Sequence, residues 1–226
     1  MFVNSHSQKY DHIIKFYKDQ QQQFLLEQFI SQVRIFFEKN PRLNKPPLPI
    51  IHSLKSRIKD PEHLRDKLLR KNKEIAPADL FSHVTDLAGV RVLHLYQDQF
   101  PDIHSAVEDK ISSGEWQFVE NPKAYTWDPE CTDFYKNLNI ECQIKDSFYT
   151  SVHYVVKPNN TNFVCCEIQV RTLFEEIWGE IDHAINYPHE TENIACREQL
   201  RVLSKLVSTG TRLSDSIFRT HASQLK

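Results

Sequence analysis

Two segments, roughly a hundred residues apart, combine acidic and basic side chains in a pattern suited to phosphate chemistry. In the first, Asp86 comes directly before an apolar stretch, and in the second Glu167 lies within one. Transfer of a phosphoryl or pyrophosphoryl group needs carboxylates to hold a divalent metal ion and cations to neutralise the phosphate oxygens. If the two stretches are neighbouring strands, Asp86 and Glu167 could share one Mg²⁺. Residue types alone leave open the alternative that Asp86 is a cap and Glu167 a salt-bridged surface residue.

Basic side chains near these acids could neutralise the oxygens of a polyphosphate. Arg91 and Arg171 each lie within or at the end of an apolar stretch, where a charge requires a partner or a ligand. A guanidinium plane can also stack on a nucleotide base. Arg57, Lys59 and Lys67 precede Asp86 and could add further charge. The alternative for such residues is a solvent-exposed basic helix face.

Alternation along two later stretches places six polar side chains on one face of a predicted hairpin. The six are Tyr149, Ser151, His153, Glu167, Gln169 and Arg171. Residues two apart on a strand share a face, and the turn signal at residues 158–160 predicts that the two strands pair antiparallel. This face is too polar for an ordinary core, so it predicts a binding site. Tyr149 could stack on a base there, although a lone strand tyrosine is commonly part of the core.

Hydrophobic periodicity predicts the elements that must position these residues. Residues 10–39 lack Gly and Pro and predict an amphipathic helix or a helix pair. Asp60 as N-cap and Pro61 at the first helical position predict a helix to about Lys71. Further helices are expected over residues 102–112, 172–187 and 193–222. Strands are expected over Val90–Tyr96, Trp116–Val119, Asn139–Ile144, Tyr149–Val156 and Phe163–Val170.

The order of these elements predicts an α/β (α+β) fold in which helices flank a mixed sheet of about five strands. We expect residues 1–40 to form an N-terminal helical arm, joined to the body by a proline-rich break from Asn40 to Pro49. Residues 41–190 would form that body, and residues 191–226 would add a C-terminal helix.

Composition excludes several classes of protein. A net charge of −2 is not that of a generally basic nucleic-acid coat, so an anion site must be a local cluster. The sequence has no apolar stretch long enough to span a membrane. Its five cysteines are an odd number without a CxxC pair, which argues against a disulfide scaffold or zinc site and favours a reduced cytoplasm. Its four glycines and the lack of a Walker A or GxGxxG pattern argue against a Gly-rich phosphate loop.

Five ordered motifs resemble the synthetase domain of the RelA/SpoT family, the alarmone (p)ppGpp synthetases, over residues 50–190. They are Arg57-x-Lys59 with Lys67, Asp86-Leu-Ala-Gly-Val-Arg91, Tyr149-x-Ser-Val-His153, Glu167-Ile-Gln-Val-Arg-Thr172, and the segment from Trp178 to Tyr187. The resemblance implies a nucleotidyltransferase-like synthetase fold. It also implies that the chain, with Mg²⁺ as cofactor, transfers the β,γ-pyrophosphate of ATP to the ribose 3′-OH of GDP or GTP.

The resemblance further implies roles for individual residues. Asp86 would bind Mg²⁺, and Glu167 would bind Mg²⁺ or act as general base on the 3′-OH. The ATP-binding set would be Arg57, Lys59, His63, Lys67 and Arg91, with the two arginines on either side of the adenine and the two lysines on the phosphates. The set that binds the acceptor nucleotide would be Lys145, Tyr149, His153, Gln169 and Arg171, with Tyr149 stacked on the guanine.

Two residues beside Tyr149 depart from the family pattern and leave other acceptors open. Phe148 stands where the family often has Gly, and Thr150 where it often has a basic residue. Toxic relatives pyrophosphorylate the 3′ end of tRNA or make (p)ppApp, and an antitoxin partner would accompany such a toxin. An inactive nucleotide-sensing module is an alternative of another class, against which Asp86 and Glu167 argue. The terminal helices could also join copies of the chain into a homo-oligomer.

Overall fold

The computed structural model describes residues 9–72, 74–159, 164–187 and 189–224 of the 226-residue chain. Its helices are α1 (Asp11–Tyr17), α2 (Gln20–Lys39), α3 (Pro61–Lys71), α4 (Leu80–His83), α5 (Phe100–Ser112), α6 (Pro129–Lys136), α7 (Leu173–Asn186) and α8 (Ile194–Ser223). The predicted N-terminal segment is therefore a helix pair, and the four predicted later helices are present. Within the described ranges, no helix is both long and apolar enough to cross a membrane.

The described strands form one six-stranded mixed sheet. They are β1 (Ser53–Ile58), β2 (Ala88–His94), β3 (Trp116–Tyr125), β4 (Glu141–Gln143), β5 (Ser151–Pro158) and β6 (Cys166–Thr172), in the spatial order β1-β2-β6-β5-β3-β4. The β2–β6 and β3–β4 pairs are parallel, and the other three pairs are antiparallel. The prediction of an α+β fold with a mixed sheet and helical extensions is confirmed, and so is the antiparallel β5–β6 pair. The predicted turn lies partly outside the described residues, since residues 160–163 are among the gaps.

The sequence patterns did not predict β1 or α6, and the strand they predicted for β3 is shorter than the observed strand. β1 is an edge strand that leaves Lys55, Ser56 and Arg57 exposed, so it shows no hydrophobic periodicity. Beyond the predicted end of β3 at Val119, register shifts in its pairing with β5 interrupt the alternation that marks a strand. The sequence does contain a start signal for α6. The side chain of Asp128 caps the helix, and Pro129 occupies its first turn.

One face of the sheet is apolar and carries the core. A row of paired positions crosses all six strands on this face: Leu54, Val92, Val170, Val152, Ala124 and Cys142. The four residues from Val92 to Ala124 are fully or almost fully buried. α2 packs against β1, β2 and β6 and adds Phe29, Val33 and Phe37 to the same core. Burial of this apolar surface is the main force that fixes the strand register.

The opposite face is polar along its whole width. The neighbouring row of paired positions consists of Lys55, Arg91, Gln169, His153, Lys123 and Glu141. Because the register is fixed by the apolar row, each of these side chains must point to the other face. α7 crosses this polar face, and its direction is set by a capping box in which Thr172 and Glu175 bond each other's backbone N–H groups.

Candidate active site

An open cavity of about 530 Å³ lies on the polar face of the sheet, beneath α7. Seven of the twelve predicted site residues line it: Arg57, Asp86, Arg91, Tyr149, Glu167, Gln169 and Arg171. Three more contact these lining residues, namely Lys59, Lys67 and His153. The structure therefore brings together residues that are up to 114 positions apart in the chain, from Arg57 to Arg171.

Asp86 is held between two lysines at one end of this cavity. Lys67 Nζ lies 2.7 Å from Asp86 Oδ1, and Lys59 Nζ lies 3.1 Å from Oδ2. Burial acts to raise the pKa of Asp86, but the two lysines outweigh it and hold this pKa below its ordinary value. Asp86 is therefore an ionised carboxylate at neutral pH.

Local backbone structure places the two lysines on opposite sides of a helix start. The Asp60 side chain accepts hydrogen bonds from the backbone N–H of Glu62 (2.8 Å) and His63 (3.2 Å), so α3 begins there and carries Lys67 two turns in. The backbone N–H of Lys59 donates to Leu87 O at 2.8 Å, beside Asp86. This bond ties the residue before the cap directly to the entry of β2.

Glu167 sits in a separate hydrogen-bonded group on β6. His153 Nδ1 lies 3.2 Å from Glu167 Oε1, and Gln169 Nε2 donates to Glu167 Oε2 at 2.8 Å. The other ring nitrogen of His153 lies 2.9 Å from the hydroxyl of Tyr149. Burial acts to raise the pKa of Glu167, but His153 and Gln169 outweigh it, so this pKa is lowered. Glu167 is thus an oriented, ionised carboxylate that can accept a proton or hold a cation.

The two carboxylates suit a divalent cation that a substrate would help to hold. Both line the same cavity, and the negative charge of Asp86 acts to raise the pKa of Glu167. Among the described residues, no group of three or more His, Cys, Asp or Glu side chains is arranged to hold a metal ion. Mg²⁺ is commonly bound by one or two carboxylates, with waters and substrate phosphates completing its coordination. The donor set of Asp86 and Glu167 fits that mode.

The strand arginines have a protein partner that the sequence did not predict. Glu176 of α7 lies 2.8 Å from Arg91 Nη1 and 2.8 Å from Arg171 Nε, and it also contacts Lys55. Glu180, one turn later, lies 2.6 Å from Arg91 Nη1. An acid on an amphipathic helix is normally a solvent-facing residue. The overlooked signal was the Thr172-x-x-Glu175 capping box, which fixes the helix start and so directs its first turns back over the strands.

Two predicted site residues lie away from the cavity lining. His63 is exposed on α3, and its ring meets that of Tyr187 edge to face at 5.4 Å. Lys145 is exposed in the connection between β4 and β5, where its ammonium lies 4.5 Å from the ring centroid of Tyr125. Tyr125 in turn contacts the rings of Tyr149 and His153 at 6.4 and 4.8 Å, so one aromatic ring connects Lys145 to these two residues.

Phe148 adopts a backbone conformation that favours glycine. Its φ of +63° lies in the left-handed region, which costs a residue with a Cβ about 1 kcal/mol. Its ring packs against Trp127 at 5.3 Å, and the guanidinium of Arg201 on α8 lies 5.3 Å from its centroid. These contacts hold the strained residue directly before Tyr149 and connect the Tyr149 segment to the C-terminal helix.

Comparison with known proteins gives one family and a consistent fold. The family model "Region found in RelA / SpoT proteins" matches residues 56–192. The GTP pyrophosphokinase YwaC of Bacillus subtilis (strain 168) is 29% identical over an alignment of 144 residues, and the match covers 62% of this chain and 59% of that protein. The match therefore spans less than two thirds of the relative's length.

Two solved structures of the small alarmone synthetase 1 from Bacillus subtilis share the fold. The one bound to its product pppGpp has a TM-score of 0.67 and 21% identity, covering 90% of this chain and 98% of that chain. The one bound to AMPCPP has a TM-score of 0.61 and 19% identity, covering 89% of this chain and 94% of that chain. The mixed sheet with its flanking helices is thus the architecture of those structures.

Proposed function

This chain belongs to the RelA/SpoT family, and on that premise we propose that it is an ATP-dependent pyrophosphokinase that makes (p)ppGpp. It would transfer the β,γ-pyrophosphate of ATP to the ribose 3′-OH of GDP or GTP. The relative YwaC is named as a GTP pyrophosphokinase, which supports this reaction. The observation that carries the proposal is the pair Asp86 and Glu167, two ionised carboxylates that line one cavity together with the strand arginines.

The reaction balances without any redox partner. The 3′-oxygen of the acceptor forms a bond to the β-phosphorus of ATP, and the bond between that phosphorus and the oxygen of the α-phosphate breaks to release AMP. The proton of the 3′-OH passes to a base, for which Glu167 is suited because it is ionised and oriented by His153 and Gln169. Mg²⁺, held by Asp86 and Glu167, would supply charge neutralisation on the transferred phosphates.

The donor and acceptor would occupy the two ends of the polar sheet face. At the β1–β2 end, Arg57 and Arg91 would flank the adenine, Lys59 and Lys67 would neutralise the phosphates, and His63 would lie at the margin. On β6 and β5 and the segment before β5, Tyr149 would stack on the guanine, with Lys145, His153, Gln169 and Arg171 around the phosphates and ribose. Catalysis would then rest mainly on positioning and on charge neutralisation, which suits a face built from fixed strand positions.

A turnover assay tests the proposal and separates it from its alternatives. ATP labelled in the γ-phosphate is incubated with the chain and Mg²⁺, and GDP, GTP, ATP and bulk tRNA are offered separately. Label on GDP or GTP is the expected result. Label on tRNA or on an adenine nucleotide would instead identify a toxin-type enzyme. An antitoxin partner would then be sought, and Phe148 and Thr150 at the acceptor end would be the first residues to substitute. No label on any acceptor would leave a nucleotide-sensing module.

Gly179 on α7 gives a prediction for the acceptor end. A Cβ at this position would overlap the guanidinium of Arg171, which is almost fully buried and has little room to move. Gly179→Ala is therefore expected to displace Arg171 and to raise the KM for GDP about tenfold, equivalent to about 1.4 kcal/mol. The matched control is Gly210→Ala on α8, where a Cβ would meet the ring of Phe174, which is 36% exposed. Equal KM values for the two variants would remove Arg171 from the acceptor site.

Assembly and location complete the proposal. Large apolar side chains are exposed along α7 and α8, among them Ile177, Ile181, Leu206, Leu213 and Ile217. On the N-terminal arm, Phe29 is buried in the chain's own core while Phe24 is 61% exposed. Such faces support a homo-oligomer formed through the terminal helices, which light scattering on the purified chain would measure. All five cysteines carry free thiols, which suits the cytoplasm as the compartment.

A further inference from the structure

Three cations from three adjacent strand segments converge on one carboxylate of α7. Glu176 Oε1 lies 2.7 Å from Lys55 Nζ and 2.8 Å from Arg91 Nη1, and Glu176 Oε2 lies 2.8 Å from Arg171 Nε. The side chain of Glu176 is only 7% exposed, whereas the side chains of Lys55 and Arg91 are 56% and 22% exposed. Glu176 thus lies behind the cations rather than among them.

The position of Glu176 relative to the cavity shows that it would act through other residues. Lys55, Arg91 and Arg171 all line the cavity, and Glu176 does not line it. Lys55 and Arg91 occupy directly paired positions of β1 and β2, an arrangement in which like charges repel. A single buried carboxylate that accepts from both removes this repulsion and fixes the direction of each side chain.

A second carboxylate of α7 also contacts this group of cations. Glu180, which lines the cavity, lies 2.6 Å from Arg91 and 3.8 Å from Lys55. Burial acts to raise the pKa of Glu176, but Lys55, Arg171 and Arg91 outweigh it and keep this pKa low. Glu176 is therefore ionised at neutral pH.

We propose that Glu176 is a positioning residue that orients Arg91 of the donor site and Arg171 of the acceptor site together, an inference that rests on the proposed function. One carboxylate then serves both nucleotides, because it contacts both guanidinium groups and the end of β6 lies beside β2 in the sheet. Its loss weakens the binding of ATP and of the acceptor at once, and it leaves the reacting carboxylates Asp86 and Glu167 in place.

Steady-state kinetics with Glu176→Gln test this inference. The expected result is a rise of about tenfold in the KM for ATP and in the KM for GDP, with kcat within threefold of the wild-type value. Glu180→Gln is the matched control, since the ion pairs of Glu180 are with Lys55 and Arg91 and do not include Arg171. It is expected to raise the KM for ATP two- to threefold and to leave the KM for GDP unchanged.

A purely structural role for Glu176 gives a different pattern. Loss of folded protein lowers kcat by reducing the active fraction and leaves both KM values unchanged, and that pattern overturns the inference. A rise in only one of the two KM values overturns it as well. If Glu176→Gln does not fold, Glu176→Asp decides the question: its carboxylate is one methylene shorter, and a smaller rise in both KM values is expected.

A binding measurement separates failure of this inference from failure of the proposed function. If the wild-type chain transfers label to no acceptor, the proposed function fails. Calorimetric titration with AMPCPP, the compound bound in one related structure, then reads the donor side without turnover. Binding weakened about tenfold in Glu176→Gln supports the positioning role at Arg91, and equal affinity overturns it.

Discussion

Replacing Glu167 by glutamine is expected to lower kcat by about 10³-fold, the range for loss of a general base or of charge stabilisation in a transition state. Glutamine keeps the shape of the side chain and an oxygen that can accept the 2.8 Å bond from Gln169 Nε2. It removes the negative charge that could receive the 3′-OH proton or hold Mg²⁺. The KM for ATP should change little, because Glu167 lies on β6 and the two arginines proposed to flank the adenine lie on β1 and β2.

The measurement is the labelled-ATP assay with GDP as acceptor, accompanied by thermal denaturation. Glu115→Gln is the matched control: it makes the same chemical change at a carboxylate that pairs with Lys110 and is 57% exposed. That variant should keep wild-type turnover. If Glu167→Gln keeps more than a tenth of the activity while its melting temperature is unchanged, Glu167 is neither the base nor a metal ligand.

The polar face was predictable because strand alternation is a local property. Glu167, Gln169 and Arg171 follow one another at a spacing of two within an apolar stretch, and this pattern admits one orientation once the apolar residues face the core. The pairing of His153 with Gln169 then follows from a hairpin. Alternation therefore places Glu167 and Arg171 on the polar face without knowledge of the fold, whereas Asp86 lies in the turn before β2 and is outside this pattern.

What the sequence did not reveal depends on how distant elements cross. β1 is an edge strand with half of its side chains exposed and none buried, so no burial pattern marks it, and yet it brings Lys55 and Arg57 to the cavity. Glu176 resembles any acid on a helix until α7 is laid across the strands. No local sequence pattern explains the glycine at position 179. A glycine is needed there because the guanidinium of Arg171 packs against the helix backbone. The ion-pair partners of a charged residue depend on the tertiary packing of elements that are distant in the sequence.

Asp86→Asn is expected to reduce turnover by about 10²- to 10³-fold and to increase the Mg²⁺ concentration needed for half-maximal activity, because it removes one of the two carboxylates suited to that ion. Asp60→Asn is the matched control in the neighbouring connection, since Asn caps a helix as well as Asp does and the caps on Glu62 and His63 are retained. An unchanged Mg²⁺ requirement in Asp86→Asn would assign metal binding to other groups.

The same variant should also lose stability, with a defined dependence on pH. Lys59 and Lys67, whose side chains are 11% and 24% exposed, would lose a partner that is itself 19% exposed. Breaking a fully buried pair costs about 3–5 kcal/mol, and solvent screening at this partly exposed site reduces the expected loss to about 1–2 kcal/mol. The folded-state pKa of Asp86 is lowered from 3.8, so its ion pairs contribute above that pH and are lost as the pH falls through the folded-state pKa. Urea unfolding should therefore show the full difference between wild type and Asp86→Asn at neutral pH and a shrinking difference below pH 3.8. A difference that stays constant with pH would mean that the lysines stabilise the fold through contacts other than the Asp86 charge.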